Sequence, residues 1–273
     1  MPATSASYAR LSAVFPQLRI TAAPPPSGAG WIGAGELAAG GAALDAFVTN
    51  ATAESARKRE RPPRPDVAAT LALHRYLWPA CLLFTVPWFL HGRVPRLPVG
   101  DVAFHPATGR VTVRTRSFSC LPDDPAATLP GARTAPHPAA LRDELRAAIA
   151  DHVAPVLAGF GPLLRRGRHA LWGMVTDEIT EGLWYVGRLF DQEERAVAEL
   201  AALLPGGTHP FPGSAGFRPG TRIDGPSAGT QCAAASRTRL TCCLYYTISP
   251  TDTCTTCPRL RAPARIDRRA SAA

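Results

Sequence analysis

Apolar residues recur at helical spacing along the second half of the chain. Leu141, Leu145, Ile149, Val153 and Leu157 form one stripe, closed by Gly159 and Gly161. Leu171, Val175, Ile179, Leu183, Val186 and Phe190 form a second, and a third segment runs from about Gln192 to Leu204 before Gly206-Gly207. A 3.6-residue period sustained over this length predicts three helices with one face in a core, each stopped by glycine. In the first half, residues 1–20 predict a short helix, followed by a loop through Pro24-Pro25-Pro26 and Gly28. The alanine-rich stretch from Glu36 to about Ala56 predicts another helix, ending in the charge run Arg57-Lys58-Arg59-Glu60-Arg61 and then Pro62-Pro63-Arg64-Pro65. Asp66 is placed to N-cap a helix that carries Val67, Leu71, Leu73 and His74 into an apolar window, Tyr76 to Leu90.

Beyond that window the alternation shortens. Val102-Ala103-Phe104 and Val111-Thr112-Val113 flank His105-Pro106-Ala107-Thr108-Gly109, which predicts a β-hairpin. Leu121 to Pro138 is proline-rich and predicts a linker. Residues 205–230 hold glycine, proline, threonine and serine with few apolar anchors, and a loop of that length is functional or disordered. These elements predict an α+β fold, a mainly helical body with small β-hairpins and a C-terminal cysteine-rich hairpin. The expected organisation is a body over 1–204, the loop over 205–230, and a C-terminal segment over 231–273 ending in a basic tail.

The apolar window is about fifteen residues long and is broken by Pro79 and Pro87, short of the roughly twenty residues of a membrane span. It predicts a buried core segment and no transmembrane segment. Residues 1–20 carry Arg10 and Arg19 and lack the apolar stretch of an export signal. A cytoplasmic protein is therefore expected, with peripheral contact at the inner face of the cell membrane left open. Hydrophobic residues make up 46% and charged residues 19%, which fits a globular chain and excludes wholesale disorder. Basic residues outnumber acidic ones, 30 against 21, and Lys58 is the only lysine. An arginine-only basic set reads as a compositional habit, so the excess does not by itself imply nucleic-acid binding.

The chemistry concentrates at the C-terminal end. Cys242-Cys243 and Cys254-Thr255-Thr256-Cys257 bring four of the seven cysteines into sixteen positions, while Cys81, Cys120 and Cys232 stand alone. Four thiolates at this density suit a soft metal or an iron–sulfur centre, and a reducing compartment disfavours structural disulfides. Leu244 to Ile248 is β-branched and aromatic and predicts a strand. Ser249-Pro250-Thr251-Asp252 predicts the turn that returns the second pair to the first. Adjacent side chains on a strand point to opposite faces, so both Cys242 and Cys243 can ligate only across a kink or bulge. From spacing alone zinc, an iron–sulfur centre and thiol–disulfide chemistry all stay open. Zinc knuckles use a Cys-x2–4-Cys unit twice, and this chain supplies it once.

The run Thr238-Arg239-Leu240-Thr241-Cys242-Cys243-Leu244-Tyr245-Tyr246, with Cys254 ten residues beyond Cys243 and a final Cys-x-x-Cys-Pro, resembles the carboxyl terminus of the FhuF family of ferric-siderophore reductases. His169-Ala170-Leu171-Trp172-Gly173-Met174-Val175 resembles that family's helix before the cluster region, and Gly216-Phe217-Arg218 its approach loop. Gly92-Arg93-Val94-Pro95, after the apolar window, is similar to actinobacterial members. The resemblance implies a 2Fe-2S cluster on Cys242, Cys243, Cys254 and Cys257. It further implies one-electron reduction of a ferric siderophore, of hydroxamate type, by electrons from a separate donor such as a ferredoxin or reductase. No nucleic-acid partner is expected. Arg237 and Arg239 are placed to tune such a cluster, whose negative charge grows on reduction. The family's glycines in the turn and beside the third cysteine are replaced here by Ser249-Pro250-Thr251-Asp252-Thr253 and Thr255, which restricts positive φ there.

Other readings are a zinc-knuckle protein that binds nucleic acid through a basic surface, and a siderophore-binding protein with a merely structural cluster. The seven histidines (74, 91, 105, 137, 152, 169 and 209) take up no metal-ligand spacing and are expected to be structural. Asp177, Glu178 and Glu181, on one helix with Trp172, Trp184 and Tyr185, could line a ligand cleft, but by default are expected to form a wet acidic edge. Cys81 is expected in the core. No phosphate loop, nucleophile elbow or flavin fingerprint is present.

Overall fold

The computed structural model describes residues 3–28, 30–56, 61–218, 235–251 and 253–259. Residues 57–60 of the charge run, 219–230 of the long loop, Cys232, Asp252 and the basic tail from 260 lie outside the described residues. In chain order the elements are α1 (Ser5–Val14), β1 (Arg19–Ala22), β2 (Ile32–Gly33), α2 (Ala34–Ala39), α3 (Ala42–Ala56), α4 (Pro65–His91), β3 (Val94–Arg96), β4 (Val102–His105), β5 (Arg110–Val113), β6 (Ser117–Cys120), β7 (Ala132–Thr134), α5 (Pro138–Phe160), α6 (Arg168–Leu189), α7 (Glu193–Leu203), β8 (Phe217–Arg218) and β9 (Ser236–Arg237). The fold is α+β, with helices dominant and the cysteine-rich segment at the C-terminal end.

α4 is the axis of the core. It packs chiefly on α6 and also on α3, α5 and α1. At 27 residues it is longer than the apolar window, and by length and hydropathy it would serve as a membrane span; 67% of its most apolar stretch is instead buried by the rest of the protein. Pro87 cannot donate to the Leu83 carbonyl one turn back. Tyr8 fills that gap, its hydroxyl donating to Leu83 O at 2.8 Å. α4 starts two residues earlier than Asp66 predicts: Arg64 is the N-cap, Pro65 sits in the first turn, and Asp66 adds its charge there. Proline is favoured at that position because its missing N–H would have had no partner. Glu36 to Ala56 forms two helices rather than one, because Gly40 (φ 74°) and Gly41 (φ 70°) turn the chain between them.

The hairpin of β4 and β5 forms in the expected place. It lies within a four-stranded sheet ordered β1-β5-β4-β2, in which β1 and β5 run parallel. A second sheet is ordered β3-β6-β7. The linker expected over 121–138 is structured. Asp124 caps a short 3-10 turn through Ala126 N and receives a two-point ion pair from Arg93 (2.7 and 2.8 Å), and β7 follows. α5, α6 and α7 occupy the three predicted stripes. β8 and β9 pair antiparallel, Phe217 with Arg237, and carry the chain into the cysteine segment.

Candidate iron–sulfur site

α6 is buried almost all round from Leu171 to Gly187, including Asp177 and Glu178. The expected wet acidic edge is therefore wrong, and the reason lies some sixty residues away. A buried carboxylate needs charge and hydrogen-bond partners, and β9 with the residues after it brings both. Arg237 gives Nη2 to Asp177 at 2.7 Å, Nη1 to Glu181 at 2.5 Å and Nε to Ala215 O at 3.1 Å. Arg239 donates to Glu178. Asp177 also accepts from Leu240 N (2.9 Å), Thr241 N (2.9 Å) and Thr241 Oγ1 (2.8 Å). One carboxylate on a core helix thus grips the two residues immediately before Cys242.

Close approach makes that grip feasible. Gly173, one turn N-terminal to Asp177, faces Thr241; a Cβ there would come within 2.6 Å of Thr241 Cγ2. From the loop before α6, Arg166 donates to the carbonyl oxygen of Cys242. The residues that the resemblance singles out, His169 to Val175 and Gly216 to Arg218, therefore form the wall and the β8 strand beside the cysteine segment.

The vicinal pair is resolved without a strand. Leu244 takes a left-handed conformation (φ 64°), and Tyr245 to Thr247 form a 3-10 turn where the β-branched and aromatic pattern predicts a strand. Burial and tertiary contacts override that propensity: Ile248 is buried, and its carbonyl accepts from Arg61 N at 3.3 Å. The reversal at Leu244 turns two backbone N–H groups back on the sulfurs, Leu244 N–H to Cys242 and Tyr245 N–H to Cys243. Among the described residues, Leu244 and Asp191 alone take positive φ without being glycine. The missing turn glycines are thus not required at 249–251, 253 or 255, and the left-handed residue stands next to the first pair.

The two pairs meet. Arg239 N donates to Thr256 O at 2.9 Å, and Cys257 N to Cys254 O at 3.1 Å closes the Cys-x-x-Cys turn. Cys243 and Cys254 are hydrogen-bond partners. Accepting from Cys254 is the main reason the Cys243 thiol is pulled down; the Tyr245 N–H, His74 and Arg239 assist, against burial. Cys254 is raised in return as the donor. Cys242 is raised by burial and by the charges of Cys243 and Cys257, offset by the Leu244 N–H and Arg166. Cys243 can therefore be a thiolate at neutral pH, the form that binds metal.

His74 was expected to be structural, and it stands with this group. Its Nδ1 lies 2.7 Å from Glu178 Oε1, and its Nε2 is 3.5 Å from Arg239. Burial pulls its pKa down, the Glu178 carboxylate more than offsets this, and the net direction is up. Neither His74 nor Arg166 stood out in the sequence as a site residue, and Asp177 and Glu178 stood out only as a wet edge or a cleft lining; a carboxylate pair inside an apolar helical stripe was the available signal. Arg237 is fully enclosed by its α6 partners and acts as a clasp, whereas Arg239 places positive charge on Cys243 and Cys254. Cys81 is in the core as expected, and Cys120 is buried at the end of β6.

Among the described residues, no three His, Cys, Asp or Glu side chains converge as a set that could hold a single metal ion. A 2Fe-2S rhomb asks for something different, two thiolates at each of two irons. The donor set fits that demand: two cysteine pairs, N–H donors on two of the sulfurs, and the buried cation of Arg239 to offset negative charge. Residues 239–259 match the model of the FhuF 2Fe-2S C-terminal domain, which points to a 2Fe-2S cluster. No curated protein matches the chain.

Proposed function

We propose that Cys242, Cys243, Cys254 and Cys257 ligate a 2Fe-2S cluster, and that the protein is a ferric-siderophore reductase in the cytoplasm. The observation that carries this reading is the four-cysteine segment, matched over 239–259 and held against buried charges of the helical body. When bound, the cluster supplies a one-electron couple. The substrate is siderophore-bound ferric iron, of hydroxamate type by the resemblance, which takes up one electron and leaves as ferrous iron from a chelate that holds it weakly. The electron comes from a separate protein donor, a ferredoxin or reductase.

The chain's own residues hold the cysteines and set their charge environment. Asp177 and Arg166 fix the backbone on either side of Thr241, and Arg239 favours added negative charge. His74 orients Glu178. No general acid is needed.

Anaerobic purification followed by visible absorbance tests the reading. A red-brown protein that bleaches with dithionite, and then yields a ferrous–ferrozine complex from a ferric hydroxamate, is expected. Cys243→Ser and Cys254→Ser are expected to lose the colour and the acid-labile sulfide. A colourless protein with stoichiometric zinc would overturn the cluster, and a reducible cluster that reduces no ferric siderophore would leave it a structural role.

A further inference from the structure

Three stretches of chain border the cysteine segment, and arginine stands out in each. The approach to α4 gives its Arg61 N–H to Ile248 O at 3.3 Å and carries Arg64. The start of α6 and the loop before it carry Arg165, Arg166 and Arg168, and Arg166 donates to the carbonyl oxygen of Cys242. Just after Cys257, Arg259 lays its guanidinium 4.3 Å over the Tyr246 ring. The first two stretches also adjoin, because Pro65, Asp66 and Arg165 line one cavity of about 670 Å³. We propose that this face is the docking surface for an acidic electron-donor protein, a small one whose own redox centre lies beneath a carboxylate-rich patch. It rests on the reading of the four cysteines as the ligands of a one-electron centre.

The first support is positive charge without counter-charge. In the helical body arginines are paired, Arg93 with Asp124, Arg96 with Glu144 and Arg142 with Glu199. Beside the cysteine segment, Arg61, Arg165 and Arg168 are exposed and form no ion pair among the described residues. Arg64 pairs with Asp66 at 3.2 Å, yet its side chain stays 67% exposed. Asp45 of α3 is the other carboxylate in the described lining of that cavity, so the arginines remain in excess. Like charges gathered on a surface repel one another, and the carboxylates of a partner relieve that repulsion.

The second support is the exposure of the thiols. Cys242, Cys243 and Cys254 are half-buried, whereas Cys257 is buried. One edge of the donor set thus reaches the surface among these arginines, where a docked protein can pass an electron over a short path. The third is the kind of contact such a rim makes. Exposed charges raise the rate of encounter more than the strength of the complex, and salt screens them. Electron delivery needs that behaviour, because the donor must leave after each turnover. In each encounter the reduced donor loses one electron and the four-cysteine centre gains it, with no bond made or broken.

Titration of the cluster-loaded full chain with a plant-type 2Fe-2S ferredoxin, an acidic protein, tests the proposal. Saturable binding is expected in about 25 mM NaCl and should weaken at least about tenfold in about 250 mM. The exposed-site variant Arg61→Gln/Arg165→Gln/Arg168→Gln should weaken the low-salt binding about tenfold, the summed effect of three exposed ion pairs. Arg19→Gln/Arg110→Gln/Arg133→Gln, on β1, β5 and β7, removes the same charge elsewhere and should change it less than about twofold. Equal losses in the two variants would overturn the assignment of this face. So would the absence of saturable ferredoxin binding, equally tight binding of the basic protein cytochrome c, or tighter binding of a short DNA duplex. Reduction of a ferric hydroxamate with dithionite in place of the protein donor separates this proposal from the reading beneath it. The Arg61/Arg165/Arg168 variant should keep that activity, whereas a parent protein that lacks it would overturn the reductase reading and leave the binding result to decide the surface.

Discussion

Asp177→Asn should release the cysteine segment from the helical body while leaving that body folded. The Asp177 carboxylate is fully enclosed and accepts from four donors at 2.7–2.9 Å: Arg237 Nη2, Leu240 N, Thr241 N and Thr241 Oγ1. Asparagine keeps the shape but removes the charge, and turns an NH2 group toward at least one backbone N–H. Breaking a buried ion pair from one side costs about 3–5 kcal/mol, because the other charge stays buried. Glu181 retains part of Arg237, which places the effect toward the lower end. A loss of about 3 kcal/mol shifts a local opening equilibrium by roughly a hundredfold. Amide hydrogen exchange read at Leu240 and Thr241 reports that opening directly. Their protection should fall by about two orders of magnitude while Leu183 and Val186, deep in α6, change little. Iron and acid-labile sulfide per chain should fall with it. Protection within threefold of the parent at Leu240 and Thr241 would refute the clasp.

Gly173→Ala should act at the same place by crowding, since its Cβ would meet Thr241 Cγ2 at 2.6 Å while Asp177 holds Thr241 by its hydroxyl. Overpacking of this kind costs about 1–3 kcal/mol, and the lower stability should show in chemical denaturation together with reduced cluster loading; unchanged values for both would contradict the close approach. The pH dependence should be set in the acid range by His152, which donates to Leu97 O and accepts from Tyr76. Burial lowers its pKa from 6.5 to about 4. The unfolded chain then takes up the proton first, so this stability is present above pH 6.5 and is lost as pH falls toward 4, about 3 kcal/mol in all. Urea midpoints at pH 7, 5.5 and 4.5 should fall in that order, and a flat profile would count against a neutral buried imidazole.

Much of the helical body was legible in the chain. The stripes from Leu141 to Leu157 and from Leu171 to Phe190 became α5 and α6, and the alternation around His105–Gly109 became the β4–β5 hairpin. These follow from periodicity, a local property. Glu36 to Ala56 was misread as one helix because alanine propensity outweighed two adjacent glycines whose left-handed turn is a backbone property. Leu244 to Ile248 was misread as a strand because β-branched and aromatic side chains favour strands only where a partner strand exists, and among the described residues none pairs with them.

The cysteine spacing, by itself, determined the most specific fact about this protein: two pairs of thiols in sixteen positions, suited to a soft centre and matched by the FhuF 2Fe-2S C-terminal domain. Spacing is written in the covalent chain, so no fold is needed to see it. What only the tertiary structure decided is how those thiols are held and charged. Asp177 and Glu178 are buried because Arg237 and Arg239 arrive from sixty residues away, and His74 joins them from a third element. Leu244 turns left-handed so that two N–H groups can face Cys242 and Cys243. Burial and pairing at that separation depend on the packing of the whole domain, which no local pattern of residues encodes.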